Sequence, residues 1–530
     1  MIPPMPAIST AKVAAASAIG CELLAGLVLD LSRYSLVSRV TGFLRDVVMA
    51  AVMGAGPIAD AFVVAFRLPN HFRAIFGEGA FNAAFVPSYG SLRQQAGDAA
   101  AMLFANRIMA LMIAIQAVIL AAAMVWTSQL VGLLAPGLPP ATFDLAVALT
   151  RITFPYLFFI TLVTLISGVL NAHDRFWAAA AAPVLLNLSM VAALLSAAFF
   201  PSIGHAAAWG VAIAGLLELI LVWANAARGG IAPRPAMPAR GAGMGRFFKL
   251  LGPAVVGSAG IQLAMFADTI IASTLPTGAL SALYYAERLY QLPLGVVGIA
   301  AGTVLLPEMT RRIAGGDVAG AHAAQNRAIG FTLALAAPCA VAFVILPDLI
   351  LSALFERGAF DAAAVQRSAA VLAAYALALP AAVILRSSTA SFYARHDTTT
   401  PLWASFAGYG VNIALKIALI GRFGVVGLAL ATSVGAWTTV ILLWLLAVRR
   451  GYAAPSRALM MTLLATIAGC VALAALGVFG RGPLHDWLSP IAGRLTEIAT
   501  LAVLGLSGLG VYGAVLLGTL KLARVPLRRR

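Results

Sequence analysis

Between Ser38 and Tyr89 the chain places Arg39, Arg45, Asp46, Asp60, Arg67, His71, Arg73 and Glu78 in a background apolar enough for two membrane spans. An ionisable side chain at the centre of a bilayer costs about 3 kcal/mol even on lenient scales. So many are kept where they line water or a substrate path. At about 100° per residue, Asp60, Arg67, His71 and Glu78 fall on one stripe of the second segment, with a kink expected at Pro69. On the first segment Ser32, Ser35, Arg39 and Asp46 share a stripe, and Ser38, Thr41 and Arg45 form another beside it. Two readings follow: stripes facing each other across an aqueous cleft, or an ion-pair network that only holds helices together. The surplus of arginine favours the cleft, because a purely structural network tends toward neutrality. Arginine grips phosphate through a planar fork that is always charged, so such a cleft predicts an anionic substrate.

The elements that must position these groups are membrane helices. Of 530 residues, 62% are hydrophobic and 10% charged, with mean hydropathy +0.96. That composition excludes a soluble fold, and the long apolar runs exclude a β-barrel. The net charge of +16 would suggest nucleic acid in a soluble protein. Here the basic residues lie at span edges, where topology explains them. Cys21, Cys339 and Cys470 show no disulfide or metal spacing. Residues 1–21 lack the basic start and clean apolar core of a cleaved signal, and are read as a disordered extension.

The expected fold is an all-α polytopic membrane protein with about fourteen transmembrane helices. Predicted cores are 25–53, 58–89, 102–125, 143–170, 179–199, 206–226, 247–273, 283–306, 328–347, 366–392, 402–420, 424–447, 458–479 and 495–519. Even-numbered spans end in basic loops: Arg93; Arg175; Arg228 to Lys249; Arg311, Arg312 and Arg327; Arg395; Arg449, Arg450 and Arg457. The tail adds Lys521, Arg524 and Arg528 to Arg530. The opposite loops hold only Arg357, Arg367, Arg422, Arg481 and Arg494. The basic side is therefore expected to be cytoplasmic, with both termini inside.

The chain also repeats. Ala65 to Asp98 resembles Ala286 to Asp317, pairing Arg67 with Arg288 and Pro87 with Pro307; NAHDRF at Asn171 resembles ARHDTT at Ala394, 223 residues later. This predicts two pseudo-twofold six-helix lobes, 22–228 and 247–450, joined by a cytoplasmic linker at 229–246. Residues 451–530, with two further helices and the basic tail, lie outside the repeat. In the second lobe Glu287 and Gln291 share a face at i, i+4, with Arg288 on the other flank. Asp268, Tyr284, Tyr285 and Arg386 are also intramembrane, and Lys416 is expected near an interface, snorkelling. The predicted substrate cavity holds Arg39, Arg45, Arg67, Arg73 and Arg288 against Asp46, Asp60, Glu78 and Glu287. The His173-Asp174 and His396-Asp397 pairs, repeated at span ends, are read as helix-end devices. There is no P-loop, HExxH or GxSxG pattern, hence no nucleotide motor and no enzymatic constellation.

Several motifs carry a resemblance: SRVTGFLRD (Ser38 to Asp46), ADAFVVAFRLPN (Ala59 to Asn70), GEGAFNAAFVP (Gly77 to Pro87), ITFPY (Ile152 to Tyr156), YYAERL (Tyr284 to Leu289), LLPEM (Leu305 to Met309) and FYARHDTTTP (Phe392 to Pro401). From about Leu31 onward the chain resembles the MurJ (MviN) lipid II flippases of the multidrug/oligosaccharidyl-lipid/polysaccharide exporter superfamily. The resemblance implies fourteen spans with both ends cytoplasmic, and a central cavity lined by spans one, two, seven and eight. It implies functional arginines at Arg39, Arg45, Arg73 and Arg288, acidic cavity residues at Asp46, Asp60 and Glu287, and an apolar groove for the polyprenyl tail in the last two spans. It further implies alternating access in the bacterial inner membrane, moving the peptidoglycan precursor lipid II from the cytoplasmic to the periplasmic leaflet. No cofactor, metal or nucleic acid is implied. The energy would come from membrane potential or an ion gradient, and membrane lipids and peptidoglycan synthases would be partners. The chain departs from the family at Arg73-Ala74, where a basic pair has lost one charge, and at Gln291, which replaces an acid of some members. Arg67 stands where some members have lysine. Two alternatives stay open: a flippase for another polyprenyl-linked oligosaccharide, and an ion-coupled drug antiporter, whose cavity should be acidic or aromatic.

Overall fold

The computed structural model describes residues 36–73, 80–237, 241 and 243–523. The described residues form helices and turns, with no strand among them. Helix α1 covers residues 36–53. It is followed by α2 (Pro57–Arg73), α3 (Ala80–Val125), α4 (Thr127–Leu134), α5 (Pro140–Thr153), α6 (Pro155–Ala172), α7 (Trp177–Leu195) and α8 (Ile203–Arg228). Then come α9 (Met244–Ser273), α10 (Ala279–Ala314), α11 (Val318–Ile345), α12 (Pro347–Phe355), α13 (Ala362–Ala376), α14 (Leu379–Tyr393), α15 (Thr399–Arg449), α16 (Arg457–Ala492) and α17 (Thr496–Leu522).

Among the described residues, nine helical stretches are long and apolar enough to cross a membrane. Two of them contain a break that separates predicted spans: Gly97 in α3 and Gly424 in α15, both at positive φ. The outer faces are apolar, as lipid contact requires: Ile467, Val471 and Val478 of α16 and Leu506 and Leu509 of α17 are exposed. In water such a surface would be an aggregation site. The chain is a multi-pass membrane protein.

Helix starts follow capping chemistry. Ser202, Asp317, Asp361 and Ser456 each accept the backbone N–H three residues on, opening α8, α11, α13 and α16. Helix stops beside the basic loops share one device. Asp174, Gly230, Gly316, His396 and Gly451 take φ of 59–77°. The next residue's N–H then reaches back five positions: Arg175 to Leu170, Ile231 to Ala226, Asp317 to Arg312, Asp397 to Phe392 and Tyr452 to Ala447, at 2.7–3.0 Å. This is the Schellman closure, which satisfies the orphan carbonyls of a helix end. Nearby arginines also suit the negative end of the helix dipole. The two His-Asp pairs thus stop helices. The backbone equivalence pairs Asp174 with His396, an offset one residue shorter than the letter match, because the stop follows helix length and not side-chain identity.

The chain forms two compact units. One contains residues up to Val48, Leu68–Val125 and Arg151–Val255; the other contains Met49–Arg67, Trp126–Thr150 and Val256 onward. In the first unit α6 packs on α3 and α8, and α8 on α7. Phe81, Phe85, Tyr89, Phe104 and Phe247 form a connected aromatic cluster there. In the second unit α10 and α11 pack on α13 and α14, and α16 pairs with α17 against α11. Tyr512 fastens α17 to α11 by donating to the Ala334 carbonyl at 2.6 Å.

Backbone meets backbone in the second unit. The Ala359 N–H donates to the Ala51 carbonyl at 2.8 Å, and Tyr285 Oη donates to the Gly54 carbonyl at 3.0 Å. Gly54 and Gly358 are both at positive φ, and a Cβ on either would run into the opposing carbonyl oxygen. Glycine is required at both positions by conformation and by space.

Candidate functional site

The first unit holds one cluster of the predicted residues, on α1 and α7. Arg45 and Asp46 are buried. Arg45 donates through Nε (3.1 Å) and Nη2 (2.7 Å) to Asp46 Oδ1, and through Nη1 (3.1 Å) to Asn187 Oδ1. Asn187 Nδ2 in turn donates to the Ser38 carbonyl and to Thr41 Oγ1, both at 3.1 Å. Gly42 lets this amide approach α1: a Cβ there would lie 3.4 Å from Asn187 Nδ2. The stripe Ser38, Thr41 and Arg45 read from the sequence is therefore the face that meets Asn187. Arg39, next to Ser38 on α1, is half-buried.

The second unit holds the other cluster. Arg67 donates to Thr269 Oγ1 at 3.2 Å and reaches Glu287 Oε2 at 3.5 Å. Gln291 Nε2 donates to Glu287 Oε1 at 2.9 Å, as their shared face predicts. Arg288 Nη1 donates to Gln291 Oε1 at 3.3 Å, and its guanidinium lies 4.8 Å from the centre of the Tyr284 ring. The amide of Gln291 thus bridges an acid and a base. An anion entering here meets two guanidinium groups already oriented by neutral and acidic partners, which is the preorganisation that phosphate binding uses.

Asp60 shares the second unit but does a different job. Its Oδ2 accepts from the Gly278 N–H at 2.6 Å and its Oδ1 from the Ser281 N–H at 2.8 Å. A carboxylate on α2 therefore caps the N-terminus of α10, where backbone donors and the helix dipole favour negative charge. α2 remains helical through Pro69. Arg73 closes α2, but its side chain and that of His71 lie outside the described residues, as does Glu78.

One expectation is corrected. Lys416 does not snorkel: its side chain is 0% exposed and its Nζ contacts Asp268 Oδ1 at 2.6 Å. Lys416 is enclosed within the span, and Asp268 of α9 supplies its counter-charge. Asn187, Thr269 and the Lys416–Asp268 pairing were missed by sequence reasoning. A single asparagine inside PVLLNLSM was the signal available for the first.

The model of the lipid II flippase MurJ family matches residues 49–485. This chain belongs to that family. Among its relatives, "Probable lipid II flippase MurJ" of Rhizobium meliloti (strain 1021) is 37% identical over 495 residues, covering 91% of this chain and 92% of the relative. "Lipid II flippase MurJ" of Burkholderia cenocepacia is 33% identical over 481 residues, covering 89% and 93%. A solved structure, "Lipid II flippase MurJ, inward closed conformation", superposes with a TM-score of 0.76 at 23% identity, covering 92% of this chain and 98% of that one. An inward-facing MATE multidrug transporter of the MOP superfamily superposes at 0.67 with 14% identity, covering 78% and 98%. Both structures show the fold. Family membership makes the chain a transport protein.

Proposed function

We propose that this chain flips lipid II from the cytoplasmic to the periplasmic leaflet of the bacterial inner membrane by alternating access, with both termini cytoplasmic and about fourteen spans in two six-helix lobes plus two. The observation that carries the reading is the family match over 49–485 in a chain whose membrane helices hold oriented arginines. Arg39, Arg45, Arg67, Arg73 and Arg288 bind the pyrophosphate and other anionic groups of the substrate. Arg45 and Arg67 are held ready by Asp46 and Glu287, which the phosphate oxygens displace. Membrane potential or an ion gradient supplies the energy, since one elementary charge crossing 100 mV is worth about 2.3 kcal/mol. The substrate comes from, and returns to, enzymes of peptidoglycan synthesis.

The test is depletion of this protein in its own bacterium with lipid II assayed by leaflet, and rescue by wild type or Arg45→Ala. Lipid II that accumulates inside, and is exposed outside again only with wild type, bears the reading out. Unchanged exposure with another glycolipid building up would leave the fold and overturn the substrate.

A further inference from the structure

Inside the spans of the second unit, charged side chains have answering groups. Asp60 takes two backbone N–H bonds, Arg67 reaches Thr269 and Glu287, Arg288 reaches Gln291, and Lys416 meets Asp268. Arg386 of α14 is the exception. Its side chain is exposed, and among the described residues its guanidinium has no hydrogen bond or ion pair. It lies about two turns before Tyr393, where α14 ends, roughly 10 Å inside the span. At about 100° per residue, Ala382, Arg386, Thr389 and Tyr393 share one stripe of α14. The faces on either side of it are covered. Leu379, Val383, Ala390 and Ala394 pack on α10 and α11, and Leu385 and Phe392 pack on α15. The stripe between them stays open, yet it carries none of the large aliphatic residues that α16 and α17 turn outward. An open stripe of that composition lines water. A span keeps an unpaired arginine where a ligand supplies its counter-charge.

We propose that Arg386 binds a carboxylate of the peptide carried on the lipid headgroup, and so makes this unit selective for peptide-bearing lipids. This rests on the flippase reading. Lipid II carries anions in two places, its pyrophosphate and the carboxylates of its peptide. The Arg67–Arg288 cluster suits the first. Arg386 stands apart from that cluster. Val383 shares a packed cluster with Val297 of α10, and Ala390 shares the next one with Leu305 and Met309. Arg386 is therefore level with the α10 turns between them, about 20 Å along α10 from Arg288 at 1.5 Å per residue. A peptide of about five residues extends about 17 Å, and the sugar that bears it adds the remainder. One lipid thus reaches both places, whereas a pyrophosphate carrying only neutral sugars has no anion to offer the second. The guanidinium fork matches a carboxylate through two parallel hydrogen bonds.

The experiment measures binding of three lipids to the full-length chain in nanodiscs: undecaprenyl pyrophosphate, its disaccharide derivative without peptide, and lipid II. Wild type is expected to hold lipid II more tightly than either peptide-free lipid. Arg386→Gln is expected to weaken lipid II by about 10- to 100-fold, the worth of hydrogen bonds to a charged group, and to leave the other two unchanged. Arg386→Lys keeps the charge and loses the fork, so its lipid II affinity should fall between them. If the Gln variant does not fold, the Lys variant carries the same test, with its loss again confined to lipid II. A loss shared equally by all three lipids overturns the proposal, because Arg386 then serves the pyrophosphate or anchors α14 in the membrane. Undiminished binding of lipid II by the variants overturns it too. Wild type that binds none of the three overturns the flippase reading beneath it, an outcome told apart because it is seen before any variant is made.

Discussion

Removing the Asp60 carboxylate strips two acceptors from the start of α10. In Asp60→Ala the Gly278 and Ser281 N–H groups, now bonded at 2.6 and 2.8 Å, are left buried without a partner. Each stranded donor costs about 1–3 kcal/mol, so the variant should lose about 2–6 kcal/mol. Asp60→Asn keeps one oxygen and turns an NH2 toward the other N–H, so its loss should be about half, roughly 1–3 kcal/mol. The assay is unfolding of the purified chain in detergent, with membrane abundance and lipid II exposure measured on the same variants. Stability should fall in the order wild type, Asn, Ala, and transport per folded molecule should fall much less than abundance. An Asp60→Asn protein as stable as wild type yet unable to flip lipid II would refute the capping argument and return Asp60 to the transport cycle.

Gly358→Ala should cost about 2–5 kcal/mol: about 1–2 for the positive φ and about 1–3 for the clash of its Cβ with the Ala51 carbonyl. The same unfolding assay reads it, and Gly245→Ala, with open space around it, is the control. Asp317, outside the spans, is held below the usual carboxylate range by the Gly320 N–H and then by Arg312. The stabilisation of the α11 start by this acid is present above the unfolded-state value and lost as pH falls through the lower folded one. Hydrogen exchange at Gly320, corrected for intrinsic rate, should show protection lost in that acid window, and Asp317→Asn should abolish the dependence.

Local rules carried far in this chain. Apolar runs and loop charges locate helices because a bilayer leaves the backbone no other choice. The i, i+4 link of Glu287 and Gln291, and the stripe of Ser38, Thr41 and Arg45, follow from helical periodicity alone. What the sequence could not show are partners chosen by tertiary packing. Asn187 meets Arg45 across 142 positions, Thr269 meets Arg67 across 202, and Gly278 meets Asp60 across 218. No spacing encodes such distances. Asp60 and Arg67 lie on one calculated stripe, yet one goes to a helix end and the other to a hydroxyl and a carboxylate. Lys416 was misplaced for a related reason: hydropathy sees its charge but not the acid on α9 that makes burial tolerable.

The reach of those partnerships also governs how the chain is made. Asp60 and Arg67 leave the ribosome more than 200 residues before Thr269 of α9 and the Gly278 N–H at the start of α10, which supply their acceptor and donor. At about 5–20 residues per second, they wait on the order of 10–40 s. For that interval α2 carries an acid and a base with no native partners on a half-built protein in the membrane. The first helices are thus unfinished until the later ones arrive, and a chain truncated before α10 keeps its exposed charges as a standing mark of incompleteness for membrane quality control.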